Sequence, residues 1–217
     1  IVAWRVHEAG LVEEIEDVHV LTLCTPDVTN IHLTEPVDSL EALEGTSMRT
    51  AGSTQAMFVE AIGAAPQTLG SVEANEAMQR GTIDGQLQGW TGMKTFGGFA
   101  VSNGAYRVPL GASPFLLLMN KQTWESLTPE QQAVMTRHAG EGLAASGGRA
   151  YDEITRGIVE DQLAEGYVVH EASVEDVARY RDTYGEGIFE RWVAETGNGQ
   201  EVLDTYLSLI EEYRATQ

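Results

Sequence analysis

The sequence is poor in several features that define common protein classes. It contains one cysteine, Cys24, which excludes an internal disulfide and a cysteine-based zinc cluster. Free cysteines usually behave as small buried apolar residues, and we interpret Cys24 in that way rather than as a catalytic thiol. The longest continuous apolar run, residues 115–119, is far shorter than the ~20 residues of a membrane-spanning helix. We therefore expect no direct membrane insertion, and we see no signal-peptide pattern within the sequence.

Basic residues are scarce as well. Lysine and arginine number 13 against 33 aspartate and glutamate residues, which gives a formal net charge of −20 at pH 7. A nucleic acid partner is not expected, because binding a polyanion requires basic side chains that neutralise phosphates. Docking on an anionic membrane surface is disfavoured for the same reason. Lysine occurs only as Lys94 and Lys121. Such an acidic surface keeps a protein soluble by self-repulsion and is compatible with a salty or extracytoplasmic setting.

Motifs of the common enzyme classes are missing too. The five histidines are scattered without metal-ligand spacing, and HExxH, GxSxG, P-loop and GxGxxG patterns do not occur. We interpret the acidic pairs at residues 13–14 and 211–212 as solvated helix faces rather than catalytic dyads. We therefore expect no catalytic residues, no cofactor and no metal site, and an enzymatic function is disfavoured.

Strand and helix patterns alternate from about residue 18 to residue 120. The predicted strands cover residues 18–23, 47–50, 66–69 and 86–88, and the predicted helices cover residues 54–62 and 71–80. This alternation favours an α/β fold with a largely parallel sheet. The apolar run at residues 115–119 is typical of a central strand that is buried on both faces.

From Thr128 onward the pattern is mainly helical. The sequence TPEQ at residues 128–131 combines an N-cap, a proline at the first helical position and a glutamine at the third. The helix that it opens can extend to Leu163 and contains five interior glycines, which predict a bend or a close backbone contact. A short strand at residues 167–170 and two or three amphipathic helices over residues 173–217 follow.

Arg49 is the strongest candidate binding residue on local grounds. It ends a short strand, just before a glycine turn and a helix that Ser53 can cap. Ligands of open α/β sheets lie beyond the carboxyl ends of the strands, where a guanidinium can hold a carboxylate and a helix N-terminus adds donors. A structural ion pair is an equally good interpretation of Arg49. Gln88 and Trp90 suit contact with an organic ligand, but a core tryptophan beside a surface glutamine is equally common.

Four ordered segments give the sequence a family likeness. They are PVDSLEALEGTSMR at residues 36–49, FVEAIGAAP at 58–66, Glu73 followed by AMQRGTIDGQ at 77–86, and MNKQTWESLTPEQQ at 119–132. Their order and spacing over residues 11–145 resemble the DctP-type solute receptors of TRAP transporters. The resemblance implies a periplasmic, two-lobed α/β fold with mixed, mostly parallel sheets, a long lobe-spanning helix and a helical C-terminal tail. It implies a receptor that closes around a small organic acid by hinge motion and delivers it to TRAP-type membrane permease subunits.

The resemblance also implies residue roles. Arg49 aligns with the carboxylate-binding arginine of the family, and Gln88 falls where sialic-acid-type members carry a ligand-contacting asparagine. Ser71 stands where other members carry a ligand-stacking aromatic residue. Residues 28–32 lack the second arginine of some members, and residues 86–90 lack the Glu-Trp pair of metal-dependent members, so no metal ion is expected. The side chains expected to contact the ligand are Arg49, Gln88, Trp90, Ser53, Ser71 and Phe115.

The resemblance implies a division of the chain as well. Residues 1–35 would form the end of the first lobe and the crossover, 36–120 mainly the second lobe, 121–165 the lobe-spanning helix, and 166–217 the C-terminal strand and helices. Family chains begin well before the position of Ile1, so part of the amino-terminal lobe is expected to precede it. Two alternative functions stay open: a periplasmic binding module associated with a sensor, and an enzyme acting on a small organic acid.

Overall fold

A computed structural model describes residues 1–12, 15 and 17–216 of the chain. Its strands are β1 (Val18–Cys24), β2 (Asn30–Leu33), β3 (Ser47–Thr50), β4 (Ala65–Thr68), β5 (Gly85–Gln88), β6 (Gly104–Arg107), β7 (Phe115–Asn120) and β8 (Val168–Glu171). Its α-helices are α1 (Val2–Glu8), α2 (Ser53–Ala61), α3 (Ser71–Gln79), α4 (Trp90–Phe96), α5 (Lys121–Ser126), α6 (Pro129–Arg137), α7 (Gly140–Ala164), α8 (Val174–Tyr180), α9 (Glu186–Glu195) and α10 (Gly199–Ala215). The structure confirms the α/β class, and most of the predicted elements lie within two residues of their observed bounds.

The chain divides into two compact units. The first contains Ile1–Pro26, Ser113–Asp152 and Val193–Gln217, and the second contains Asp27–Ala112 and Glu153–Trp192. The lobe boundaries expected from the sequence stay a prediction. The acidic pair at residues 13–14 lies outside the described residues, whereas the pair at residues 211–212 is exposed. Among the described residues, no helix combines the length and the apolar character that crossing a bilayer requires.

The first unit contains a two-stranded antiparallel ribbon in which β1 pairs with β7. The prediction that residues 115–119 form a central strand buried on both faces is wrong. Phe115 is 53 % exposed, and the three leucines that follow it are exposed as well. The physical reason is that, in the described part of the chain, β7 has β1 as its one strand neighbour, and a two-stranded ribbon leaves much of both faces open.

The single helix predicted from Thr128 to Leu163 is two helices, α6 and α7. The predicted start is correct, because Thr128 and Gln131 form a reciprocal capping box. The helix nevertheless ends after Arg137. Gly140 adopts a left-handed φ of 68°, and a right-handed helix cannot pass through a residue with that backbone conformation. A close backbone contact occurs at Gly147 of α7, where an added Cβ would lie 3.4 Å from the sulfur of the half-buried Cys24.

The second unit contains a six-stranded mixed sheet in the order β4-β3-β5-β2-β6-β8. Three of its strand pairs are parallel, namely β3 with β4, β3 with β5, and β6 with β8. Strand β2 lies between β5 and β6 and runs antiparallel to both. The sheet is therefore mixed and mostly parallel, as the family resemblance implies.

Residue alternation over β2, β3 and β5 gives this part of the sheet one apolar face and one polar face. Successive strand residues point to opposite faces, and residues paired in register share a face. The apolar face belongs to the main core, which contains Ile31, Leu33, Met48, Leu87 and Tyr106. The intervening residues of the same strands, Asn30, His32, Arg49, Gln86 and Gln88, form a second, polar face. Helix α3 packs on this polar face. The contact includes a hydrogen bond in which Gln86 Nε2 donates to Asn75 Oδ1 of this helix at 3.0 Å.

Two glycines give opposite expectations for stability. Gly148 lies within α7 with open space where a Cβ would extend, so Gly148→Ala is expected to raise the free energy of unfolding by about 0.5–1 kcal/mol through helix propensity. A Cβ on Gly85 would lie 2.6 Å from the His32 carbonyl oxygen, so Gly85→Ala is expected to lower it by about 1–3 kcal/mol. Denaturant unfolding of both variants measures the two effects. If the two variants change the free energy of unfolding equally, or if Gly85→Ala is the more stable one, the packing described around these glycines is contradicted.

Candidate functional site

The polar face of the sheet carries Arg49 near the carboxyl ends of three parallel strands. Arg49 lies on β3, in register with Gln67 of β4 on one side and Gln86 of β5 on the other. Strand β4 leads through Leu69 to the start of α3, and β5 ends at Gln88. Because parallel strands end at the same edge of a sheet, the segments that follow β4 and β5 meet around the Arg49 side chain.

Four hydrogen bonds hold the Arg49 guanidinium, and all four acceptors are neutral. Nε donates to the Leu69 carbonyl oxygen at 2.8 Å. Nη1 donates to the Leu87 carbonyl oxygen at 3.1 Å and to Gln88 Oε1 at 2.6 Å. Nη2 donates to Ser71 Oγ at 3.4 Å. A guanidinium has five N–H groups, so one N–H of Nη2 makes no hydrogen bond to the described residues.

Arg49 is a buried cation without a carboxylate partner in the part of the chain that the structure describes. Its exposed fraction is 4 %, and the ion pairs of that part involve other arginines. Burial lowers the pKa of Arg49, because desolvation penalises the charged form. A buried charge is costly unless an opposite charge compensates it. The arrangement therefore favours an anionic ligand over the structural ion pair that the sequence left open.

Ser71 supplies one oxygen atom on which two donors converge. Arg49 Nη2 lies 3.4 Å from Ser71 Oγ, and Gln88 Nε2 lies 3.3 Å from the same atom. Both distances are long beside the roughly 2.7–2.9 Å of charge-assisted N–H···O hydrogen bonds. Ser71 is the first residue of α3, whose N-cap is Gly70, so the hydroxyl does not cap the helix. A carboxylate oxygen at this point would accept both hydrogen bonds at shorter distances.

Two residues that the sequence analysis missed lie beside this cluster, Asn30 on β2 and Asp27 shortly before that strand. Asn30 is buried and lies opposite Gln88 in the antiparallel register. Asp27 accepts hydrogen bonds from the Thr91 backbone N–H at 3.1 Å and from the Thr91 hydroxyl at 2.5 Å, and so caps the start of α4. The polar-apolar alternation of residues 30–33 is a strand pattern, and it is the sequence signal from which β2 could be predicted.

Ser53 does not join the cluster. Gly52 is the N-cap of α2, and Ser53 is the exposed first residue of that helix without a capping hydrogen bond. The prediction that Ser53 caps the helix is therefore wrong by one residue, because Gly52 has the extended backbone that an N-cap requires. Ser53 is also absent from the hydrogen-bond partners of Arg49 among the described residues.

Trp90 lies in the core rather than at the surface. Its exposed fraction is 1 %, and its ring packs against His32, Phe99 and Tyr167, with ring centroids 5.0–5.9 Å away. A fully enclosed ring offers no surface to a ligand, so the expected contact is not present in this arrangement. The alternative of a core tryptophan beside a polar glutamine describes what the structure contains.

Phe115 belongs to the first unit, whereas Arg49 belongs to the second. Its ring contacts Tyr151 of α7 edge to face, with centroids 6.1 Å apart. The exposed side chain is compatible with a ligand contact, which stays a prediction for this residue. Within the second unit, the structure thus brings together Arg49, Gln88 and Ser71, and it places Ser53 and Trp90 outside their hydrogen-bond network.

A groove of about 400 Å³ lies on the other, apolar side of the second unit. It is lined mainly by residues of α2, of the segment that follows β6 and of the helical segment from α8 to α9, including Phe58, Val108 and Tyr184. Leu87 of β5 also lines the groove, although its carbonyl oxygen accepts a hydrogen bond from Arg49. The side chains of Arg49, Ser71 and Gln88 are not among the lining residues. Among the described residues, no group of three or more His, Cys, Asp or Glu side chains could hold a metal ion.

The chain matches a known family over most of its length. Residues 7–189 match the bacterial extracellular solute-binding protein family 7, DctP. The chain therefore belongs to this family, and the resemblance found in its motifs is confirmed.

Solved structures share this fold. A TRAP solute binding protein from a marine metagenome, specific for aromatic acid ligands and crystallised with 3-hydroxybenzoate, has 26% sequence identity and a TM-score of 0.91. The match covers 98% of this chain and 69% of that one. A TRAP solute binding protein from Rhodoferax ferrireducens, in complex with copurified benzoate, has 20% identity and a TM-score of 0.87, over 99% and 70% of the two chains. A periplasmic one from Bordetella bronchiseptica, with bound (R)- and (S)-mandelate, has 20% identity and a TM-score of 0.82, over 98% and 70%.

Buried His32 is expected to lower the stability of the folded protein at acidic pH. Burial lowers the pKa of this fully buried imidazole to about 3, although a backbone hydrogen bond with Gln88 opposes the shift. Below about pH 6.5 the unfolded chain binds a proton that the folded chain does not, so stability falls as the pH drops from 6.5 towards 3. Denaturant unfolding between pH 7 and 4 should show a steeper loss in the wild type than in His32→Asn, by about 1.4 kcal/mol per pH unit. If the free energy of unfolding falls equally with pH in the wild type and in His32→Asn, His32 is not the group responsible.

Proposed function

We propose that this chain is an extracytoplasmic solute receptor that binds the carboxylate of a small organic acid at Arg49. One observation carries the proposal: Arg49 is a buried cation whose described partners are all neutral, with one N–H of Nη2 unused. A ligand carboxylate would supply the missing negative charge. Membership of the extracellular solute-binding family supports a binding role over an enzymatic one.

Aromatic monocarboxylic acids are the first ligands to test. The marine metagenome protein is described as specific for aromatic acid ligands. The site geometry is compatible with one carboxylate, because the cluster around Arg49 contains a single cation. Ser71 and Gln88 add neutral donors, which suit a ligand of low charge.

The remaining parts of the proposal concern the cellular role. We propose that the receptor acts in the periplasm and passes its ligand to the membrane permease subunits of a TRAP system. The ligand is expected to leave the protein chemically unchanged, which distinguishes a receptor from an enzyme. Hinge closure around the ligand, with α7 as part of the hinge, also stays a prediction.

Substitution of Arg49 tests the proposal. Arg49→Ala is expected to weaken the binding of 3-hydroxybenzoate by about 100-fold, because charge-assisted hydrogen bonds contribute about 1.5–3 kcal/mol each. Arg49→Lys should not restore binding, because an ammonium cannot reproduce the planar fork with which the guanidinium reaches the backbone carbonyl oxygens and a carboxylate together. Calorimetric titration of the full chain with benzoate, 3-hydroxybenzoate and mandelate measures these affinities.

Arg80→Ala is the matched control, because Arg80 is an exposed arginine at the C-cap of α3 whose ion pair with Glu76 is solvated. It should bind like the wild type. Thermal unfolding of each variant separates lost binding from lost folding, and chromatography of the recovered ligand detects turnover. A folded Arg49→Ala protein that binds within threefold of the wild type would refute the role of Arg49.

A further inference from the structure

Gly92 leaves the space in which the Gln88 side chain lies. A Cβ at residue 92 would be 2.2 Å from Gln88 Nε2, 2.8 Å from Cδ and 3.0 Å from Cγ. Gly92 belongs to the first turn of α4, and its φ is not in the left-handed region, so the backbone there does not require glycine. Glycine also disfavours a helix relative to alanine. Glycine at residue 92 is therefore explained by the room that the Gln88 amide needs, and not by the backbone conformation.

The Gln88 amide that fills this space has its oxygen atom towards Arg49. A guanidinium has only donors, so the oxygen of the Gln88 amide must be the atom that faces Nη1, at 2.6 Å. The Gln88 NH₂ group consequently points to Ser71 Oγ, at 3.3 Å. Arg49 Nη2 approaches the same oxygen atom, at 3.4 Å. The amide thus occupies one nitrogen of the guanidinium and places its own N–H groups beside the other.

We propose that Gly92 is a positioning residue of the carboxylate site, which acts by holding the Gln88 amide in this orientation. The inference rests on the proposed function of Arg49. Because Gln88 Oε1 occupies Nη1, an incoming carboxylate binds on the Nη2 side and places one oxygen between Arg49 Nη2 and Gln88 Nε2. Ser71 Oγ occupies that position here, and after displacement its hydroxyl can donate to the second carboxylate oxygen. Gln88 is then a donor to the ligand.

Variants of residues 88 and 92 test this coupling with 3-hydroxybenzoate as the probe. Gly92→Ala is expected to weaken binding about tenfold, because its Cβ displaces the amide and removes one donor to a charged group. Gln88→Ala should weaken binding to the same extent for the same reason. The double variant should bind no more weakly than Gln88→Ala, because the added methyl group then meets no amide. Its unfolding temperature should equal or exceed that of Gln88→Ala, because alanine favours the helix.

Gly187→Ala is the matched control, because Gly187 lies in the first turn of helix α9 with open space where a Cβ would extend. It should bind like the wild type. Wild-type affinity in Gly92→Ala, or a double variant that loses the product of both single effects, would overturn the role of Gly92. Failure of the proposed function looks different: the wild type then binds none of the acids, or Arg49→Ala binds as well as the wild type.

A ligand-free measurement tests the orientation by itself. The side-chain ¹H–¹⁵N signals of Gln88, assigned by their loss in Gln88→Ala, should shift in Gly92→Ala and stay in place in Gly187→Ala. If Gly92→Ala does not fold whereas the double variant does, the steric relation between the two residues is supported directly. Unshifted Gln88 signals in a folded Gly92→Ala protein would overturn the proposal, whichever acid the protein binds.

Discussion

The burial of one positive charge among neutral acceptors is the constraint on which the candidate site depends. Desolvating a guanidinium is unfavourable, and hydrogen bonds to carbonyl, amide and hydroxyl oxygens satisfy its donors without neutralising its charge. In Arg49 these bonds fix the side chain between the segments that follow β4 and β5. The protein has a formal net charge of −20, yet no described carboxylate reaches this guanidinium. The charge is therefore available to an anion from solution.

The sheet explains how this arrangement is built. Apolar residues of β2, β3 and β5 form the core on one face, which leaves the alternate residues to form a polar face beneath α3 and α4. In-register pairing places Asn30 beside Gln88 and Arg49 beside Gln86. Asp27 holds the start of α4 through Thr91, and this helix carries Gly92 against the Gln88 amide. The donors that we propose for the ligand carboxylate are thus held by strands and helix starts.

Local patterns in the sequence predicted the α/β class, most strand positions and the place of Arg49 at a strand end. They could not predict its neutral partners, because Ser71 and Gln88 are 22 and 39 residues away along the chain. A local pattern also cannot tell whether Trp90 points outward or into an aromatic core. The apolar run of β7 predicts burial only when other elements cover both faces. Among the glycines of the 128–163 region, only Gly140 adopts a left-handed φ, and composition alone does not distinguish it from the others.

A crystal structure of the protein with 3-hydroxybenzoate is the most direct test of the account. The account predicts one carboxylate oxygen within about 3.0 Å of both Arg49 Nη2 and Gln88 Nε2, with Gln88 Oε1 still on Nη1. Ser71 Oγ should have moved from between the two donors towards the second carboxylate oxygen. A carboxylate bound to another cation, with the four hydrogen bonds of Arg49 unchanged, would contradict the central claim.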